Sequence, residues 1–369
     1  MKNSLLSIIF LCLFACDTNR IPYAKDMLDR ETNTLKPDQL NLIFDNSKVF
    51  PDNTQLAIGI IANGKTSFYG IKRENGALIT VKNAKKVFEI GSISKVFTAT
   101  LLANFIVKSK VFLNEPINTY WDNPFKADKK LTFKNLANHT SGLPRLPSNL
   151  DLLSVDQDNP YKDYDAKKLD FYLTEEMEMA DETEHPYLYS NLGVGLLGFT
   201  LSKIENSSYE ALLQTYITEK FNMPQTTTLR NIVASNMVQG QGPNGKSVPN
   251  WDLNVLVGAG GILSSVTDLS TFALAQFDAS QVTLALTRKK TANVDERTAV
   301  GLGWHIVKND KGHHWVSHSG GTGGYSSSML LDITDKNAVI ILSNVSGFND
   351  SAGNIEALAF ALMHTLEAE

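Results

Sequence analysis

The stretch Phe88-Glu89-Ile90-Gly91-Ser92-Ile93-Ser94-Lys95-Val96-Phe97-Thr98 passes from an extended apolar run, through a glycine, into residues that continue as a helix to about Ile106. Ser92 falls at the start of that helix. Residues three apart share a helix face, so Lys95 approaches the Ser92 hydroxyl, and the unpaired N–H groups of the first turn favour negative charge there. Ser94 is adjacent to Lys95 and faces away from the shared side. Burial strips an ammonium of hydration and lowers its pKa, which gives Lys95 the character of a base near neutral pH. A Ser-x-x-Lys string arises about once by chance in a chain with this much serine and lysine. A helix cap beside a solvated lysine explains it equally well, so the rest of the chain decides.

Two further segments carry chemistry. Tyr187-Leu188-Tyr189-Ser190-Asn191-Leu192-Gly193 is a polar turn ahead of the apolar helix Val194 to Leu201, and it presents the Tyr189 phenol and the Asn191 carboxamide two residues apart. Alone, Tyr189 reads as a half-buried tyrosine and Asn191 as a helix cap. His318-Ser319-Gly320-Gly321-Thr322-Gly323-Gly324-Tyr325 enters strand-like sequence. Its glycines let a strand edge lie close to a ligand with a backbone N–H turned toward an oxyanion.

The surrounding pattern sets the fold. Leu56 to Ala62 and Thr66 to Lys72 read as strands joined by Asn63-Gly64-Lys65, where Asn-Gly supplies the positive φ values of a tight hairpin. Late in the chain, Ser326 to Leu331 and Ala338 to Asn344 are β-rich runs around a polar turn, and Ile355 to Leu366 has helical spacing. Between about Val111 and Leu256 the patterns are helical: Leu169, Tyr172 and Leu173, then Gly193 to Ile204, and Tyr209 to Phe221. Hairpins at both ends around a helical middle predict an α/β (α+β type) fold. One antiparallel sheet is made from both termini and flanked by helices, with residues 38–110 plus 257–369 forming the α/β part and 111–256 a mostly α-helical part.

In their order along the chain, Ser92 to Lys95, Tyr189 to Asn191 and His318 to Gly320 resemble the signature of the penicillin-recognising serine hydrolases: class C β-lactamases, D-alanyl-D-alanine carboxypeptidases and related esterases. Asn138-His139-Thr140-Ser141-Gly142-Leu143-Pro144, Gly258 to Ser265 and Gly301-Leu302-Gly303-Trp304 are similar to the family as well, and the resemblance covers about residues 50 to 366. It implies a β-lactamase/transpeptidase-like fold and an acyl-enzyme at Ser92, with Lys95 and Tyr189 sharing the proton. It further implies substrate contacts from Asn191, His318, Ser319 and Gly320, and an oxyanion hole from the backbone N–H groups of Ser92 and Gly321. The implied substrate is a β-lactam, a D-alanyl peptide or an ester. His318 stands where the commonest β-lactamase pattern has lysine, and a mostly neutral imidazole attracts a carboxylate less.

The N-terminus reads as an export signal: Met1-Lys2-Asn3, then an apolar run from Leu5 to Ala15 of about eleven residues, too short for a spanning helix of ~20. Leu13-Phe14-Ala15-Cys16 resembles a bacterial lipobox, so residues 1–15 are expected to be removed and Cys16 lipidated. Residues 16–37 then serve as a polar tether with packing beginning near Asp38, and the localisation is periplasmic or outer-membrane-associated. Both cysteines, Cys12 and Cys16, lie in this segment, which leaves the folded part without a disulfide or a thiol nucleophile.

Other functions compete less well. A net charge of -5 gives no surplus for a polyphosphate backbone, so nucleic acid is excluded as a partner. Gly240-Gln241-Gly242-Pro243-Asn244-Gly245-Lys246-Ser247 matches a phosphate-binding loop as a string, but Pro249 stops a helix from starting at Lys246, and no nucleotide is expected. His313 and His314 are adjacent and would point to opposite faces of a strand, His318 has no cysteine nearby, and His139 in its Thr-Ser-Gly turn suits a structural hydrogen bond. No metal and no cofactor are expected. A lipid-anchored binding protein that has lost catalysis is the remaining rival, and it is opposed by the presence of Ser92, Lys95 and Tyr189 together.

Overall fold

The computed structural model describes residues 22–31, 34–179 and 186–367. The expected signal segment 1–15, the lipobox Cys16 and the first part of the tether lie outside the described residues. Twelve strands are named in chain order: β1 (Lys25–Met27), β2 (Gln55–Ala62), β3 (Lys65–Glu74), β4 (Ala77–Thr80), β5 (Val87–Glu89), β6 (Leu263–Ser265), β7 (Ala292–Asn293), β8 (Thr298–Val300), β9 (His305–Lys308), β10 (His314–Gly321), β11 (Ser326–Asp332) and β12 (Asn337–Ser343). Ten of them form one sheet in the order β1-β4-β3-β2-β12-β11-β10-β9-β8-β7, while β5 pairs with β6 alone. The central junction is the antiparallel pairing of β12 with β2, which seats Ile340 opposite Gly59. The sheet is thus built from both ends of the chain, as the hairpins predict.

The β2–β3 hairpin turns where expected, with positive φ at both Asn63 (50°) and Gly64 (76°). From Leu56 to Ala62 β2 is apolar because both of its faces are covered. Leu56, Ile58 and Ile60 pack on one side with Leu40 and Ile43 of the helix Pro37–Ser47 and Leu358 and Leu362 of the helix Gly353–His364. Ala57 and Ile61 face the larger core on the other side, the period-2 alternation of a strand. Gly59 lies on that second face, where a methyl group would sit 2.6 Å from the Ser270 hydroxyl. The missing side chain lets the helix Val266–Gln276 lie directly on the sheet.

At the centre of the larger core runs the helix Ser94–Val107, buried from Ser94 to Phe105 on every side, as a helix apolar all round must be. The same core takes residues from the helical stretch, including Leu192, Leu196 and Leu201 of the helix Asn191–Glu205. Among the described residues, no helix is long and apolar enough to cross a membrane.

One expectation is corrected. Packing begins ahead of Asp38: β1 pairs in parallel with β4, aligning Lys25 with Ala77 and Met27 with Ile79, and the buried Arg73 guanidinium donates to the carbonyl oxygen of Pro22 at 2.7 Å. A three-residue edge strand whose side chains are all exposed has no hydrophobic period to read, and only its ladder hydrogen bonds reveal it.

Candidate active site

Ser92 sits in a single 3-10 turn, Gly91–Ile93, between β5 and the buried helix. Glycine at 91 is required twice over. Its φ is +50°, and a methyl group there would stand 2.7 Å from the Gly321 nitrogen. Gly320 is constrained from the other side, since a methyl group on it would lie 2.2 Å from the Ile90 carbonyl oxygen and 2.9 Å from the Ser92 nitrogen. Bare backbone therefore faces bare backbone, and the end of β10 lies against the Ser92 turn. Ser327 on β11 fastens the arrangement by donating its hydroxyl to the Ile90 carbonyl oxygen at 2.9 Å.

Lys95, one turn further on, has no solvent exposure and no acidic partner among the described residues. Its Nζ lies 2.9 Å from Ser92 Oγ, 2.9 Å from Asn191 Oδ1 and 2.6 Å from the Ala259 carbonyl oxygen. Burial, with the Arg145 charge nearby, holds its pKa well below the usual lysine range. Ser94 points elsewhere, as expected, and its hydroxyl accepts the Ile262 N–H.

Tyr189 and Asn191 arrive on the lead-in to the helix Asn191–Glu205. The cap of that helix is Ser190, whose Oγ accepts from the Gly193 N–H at 2.8 Å and whose hydroxyl donates to the Pro144 carbonyl oxygen at 2.7 Å. Because Ser190 caps, the Asn191 side chain is released toward Lys95. The centre of the Tyr189 ring stands 4.8 Å from Lys95 Nζ, and burial raises its pKa to about 12, so its phenol stays protonated across the neutral range. His139 takes the structural hydrogen-bonding role expected of it. In left-handed backbone (φ 62°), it accepts the Ser190 N–H at its Nδ1 and stacks on the Tyr189 ring at 4.5 Å.

His318 is 3% exposed on β10. Its Nδ1 lies 2.7 Å from the Ser319 carbonyl oxygen, so that nitrogen carries the proton, and Nε2 is left without a partner. Burial, aided by His305 and Lys95, pushes its pKa well down. The imidazole is therefore a neutral acceptor 6.3 Å, ring to ring, from Tyr189.

A cleft of about 540 Å³ joins these groups: Ser92, Tyr189, Asn191, His318, Ser319, Gly320 and Gly321 all line it. Much of its remaining wall comes from the loops 145–162 and 234–258, on whose shape substrate choice depends and which no periodicity describes. His305, Arg145, Tyr161, Trp251 and Phe348 also line it, and His305 Nε2 is 2.7 Å from the Tyr187 hydroxyl. Arg145 and Tyr161 lie in the first of these loops and Trp251 in the second, while His305 opens β9 and Phe348 follows β12, with no spacing shared among them.

The rival motifs lie elsewhere. Gly240 to Ser247 forms a tight turn in which the Gly242 N–H donates to the Lys246 carbonyl oxygen at 2.7 Å and Gln241 bridges to Ser247, with extended chain rather than a helix behind it. His313 does not gather with His314 and His318. It approaches Asp332 and Asp335 instead, with one ligand atom from each within 4.8 Å of the others, but the Asp332 oxygens already accept from Trp315 Nε1 and from the N–H groups of Thr334 and Asp335.

Comparison with known proteins agrees with this geometry. Residues 52–362 match the family model described as Beta-lactamase. A β-lactamase of Pseudomonas fluorescens is 27% identical over 266 residues, covering 69% of this chain and 70% of that protein. Penicillin-binding protein 4* of Bacillus subtilis (strain 168) is 25% identical over 287 residues, covering 70% of this chain and 60% of that protein. The crystal structure of a β-lactamase/D-alanine carboxypeptidase from Pseudomonas syringae shares the fold, with a TM-score of 0.72 at 21% identity over 90% of this chain and all (100%) of that one. With a family match across most of its length, and a serine on a buried lysine with a tyrosine lining the same cleft, this chain belongs to the Beta-lactamase family.

Proposed function

We propose that the chain is an exported serine hydrolase that forms an acyl-enzyme at Ser92 and acts on a β-lactam or a D-alanyl-type amide. The observation that carries this reading is the position of Lys95 Nζ, 2.9 Å from Ser92 Oγ, buried and free of any carboxylate among the described residues. A neutral amine has two N–H donors and one lone pair. Asn191 Oδ1 and the Ala259 carbonyl oxygen accept both donors. The lone pair then faces Ser92, whose O–H donates to it, which is the arrangement of a general base on a nucleophile.

In the first step, Ser92 Oγ attacks the substrate carbonyl and its proton passes to Lys95. The oxyanion is held by the backbone N–H groups of Ser92 and Gly321, where one donor typically contributes ~3 kcal/mol to the transition state. The protonated Tyr189 phenol, which lines the cleft together with Ser92, delivers a proton to the departing amine and recovers one from Lys95. Water then reverses the sequence to release the acid. With its Oδ1 engaged by Lys95, Asn191 offers its N–H₂ to a substrate carbonyl on the acyl side. The neutral His318 favours an esterase as the second reading, because a carboxylate, whether of a β-lactam or of a C-terminal D-alanine, finds no cation on the strand side. Lipidation at Cys16, with attachment at the periplasmic or outer-membrane side, belongs to the same proposal.

Mass spectrometry after incubation with penicillin tests this reading. A lasting adduct at Ser92 identifies a penicillin-inhibited peptidase, free penicilloate identifies a β-lactamase, and either must vanish in Ser92→Ala. A protein that neither retains nor hydrolyses any acylating probe overturns the proposal.

A further inference from the structure

Among the described residues, one Lys or Arg side chain lines the cleft, and that is Arg145. Lys95 lies beneath Ser92 with its charge suppressed by burial, and burial lowers the pKa of His318 and His305 as well. A guanidinium keeps its charge at every working pH. Arg145 is exposed, and it takes part in none of the ion pairs among the described residues. Glu356, the one carboxylate lining the cleft among the described residues, does not pair with it.

The residue is nevertheless firmly placed. Its carbonyl oxygen accepts the N–H groups of Asn191 and Leu192 at 3.0 and 3.1 Å, which fixes its backbone to the start of the helix that presents Asn191. Its Cζ stands 5.2 Å from the centre of the Tyr189 ring. Stacking on a ring leaves the N–H edge of a guanidinium available to a planar anion. Leu146, Leu152 and Tyr161 continue the same wall as apolar surface.

We infer that Arg145 is a specificity residue that selects acyl groups with an apolar stem ending in a carboxylate. The inference rests on the acyl-enzyme reading for its choice of side: Asn191 holds the acyl carbonyl, and Arg145 is bonded to the backbone of Asn191, so the part of the substrate that remains on Ser92 runs past Arg145. The His318 wall, which is neutral, receives the leaving group.

The test compares the para-nitrophenyl monoester of adipic acid with the corresponding ester of adipamic acid, equal in length but uncharged, in wild type, Arg145→Gln and Arg145→Lys. The wild type is expected to prefer the carboxylate, and the preference shrinks as salt is raised. In Arg145→Gln, the ratio of the two kcat/KM values falls about tenfold, the size of one charge-assisted hydrogen bond at an accessible site, while Arg145→Lys retains part of the preference. An unchanged ratio in Arg145→Gln overturns the inference. Calorimetric titration of adipamic acid and adipamide into Ser92→Ala, with and without Arg145→Gln, separates this from the chemistry. Arg145-dependent binding of the acid without turnover supports the inference even if the acyl-enzyme reading fails, and equal binding of both compounds in both proteins rejects it.

Discussion

Glu89 and Lys95 flank Ser92, three residues before and three after, and burial drives both toward their neutral forms: Glu89 upward in pKa, Lys95 well downward. They carry opposite charges, yet no ion pair joins them. Glu89 turns behind the Ser92 turn, where its Oε1 accepts from Asn250 Nδ2 at 2.7 Å and from the Trp251 N–H at 2.9 Å. Lys95 turns toward the cleft and reaches a hydroxyl. The same desolvation thus serves two ends. Behind Ser92 a buried acid holds the loop that carries the Trp251 wall, and in front a buried amine is driven toward its unprotonated form. An ion pair between the two would have fixed the charge on Lys95 and ended its use as a base.

The largest effect that tests this contrast is loss of the amine. Lys95→Met is expected to slow acylation of Ser92 about a thousandfold, within the range for a positioned base, as read from the rate of adduct formation. A variant that acylates at the wild-type rate would remove Lys95 from the chemistry. Tyr189→Phe is expected to cost about a hundredfold in kcat. The wild-type kcat/KM should stay level from the lowered pKa of Lys95 up to the raised pKa of Tyr189 near about 12, falling below the first because the amine is then protonated. Tyr189→Phe should erase the alkaline limb alone.

On the other side of Ser92 the readout is stability. Glu89→Ala leaves the Asn250 and Trp251 donors without their acceptor and should lower unfolding free energy by about 2 kcal/mol, whereas Glu89→Gln keeps an acceptor in place. Because the folded protein holds Glu89 above its ordinary carboxyl pKa, the wild type is favoured at low pH, and that contribution is lost as pH rises through the elevated value. The stability of Glu89→Gln relative to wild type should therefore grow over that window in denaturant titrations. A flat difference would mean that Glu89 is ionised in the fold. The smallest expected effect is His318→Lys, which places a cation on the strand side and should raise kcat/KM for a carboxylate-bearing β-lactam severalfold; an unchanged or lower value counts against a role for His318 in carboxylate binding.

Legibility in the sequence followed the range of the interactions. The Asn63-Gly64 turn, the helix after Ser92 and the separation of Lys95 from Ser94 depend on neighbours within a few residues, and each is where the pattern places it. Ser190 was passed over as the cap because Asn191 is equally good in isolation; the Pro144 carbonyl oxygen, contributed from a distant loop, favours Ser190. β1 gave no hydrophobic signal. Trp251 and Arg145 enter the cleft from loops and His305 from the start of β9, and their positions depend on packing far along the chain.

Ser92 remains the residue on which the reading turns. The sequence by itself determined that a serine and a lysine share one face at the start of a helix, because helix pitch is a local property; that bare backbone at Gly91 and Gly320 meets is a contact between distant parts of the chain. Only the tertiary structure decided the charge on Lys95. Desolvation is the sum of everything packed around a group, and the two acceptors that take up its N–H donors, Asn191 and the Ala259 carbonyl oxygen, lie 96 and 164 residues away.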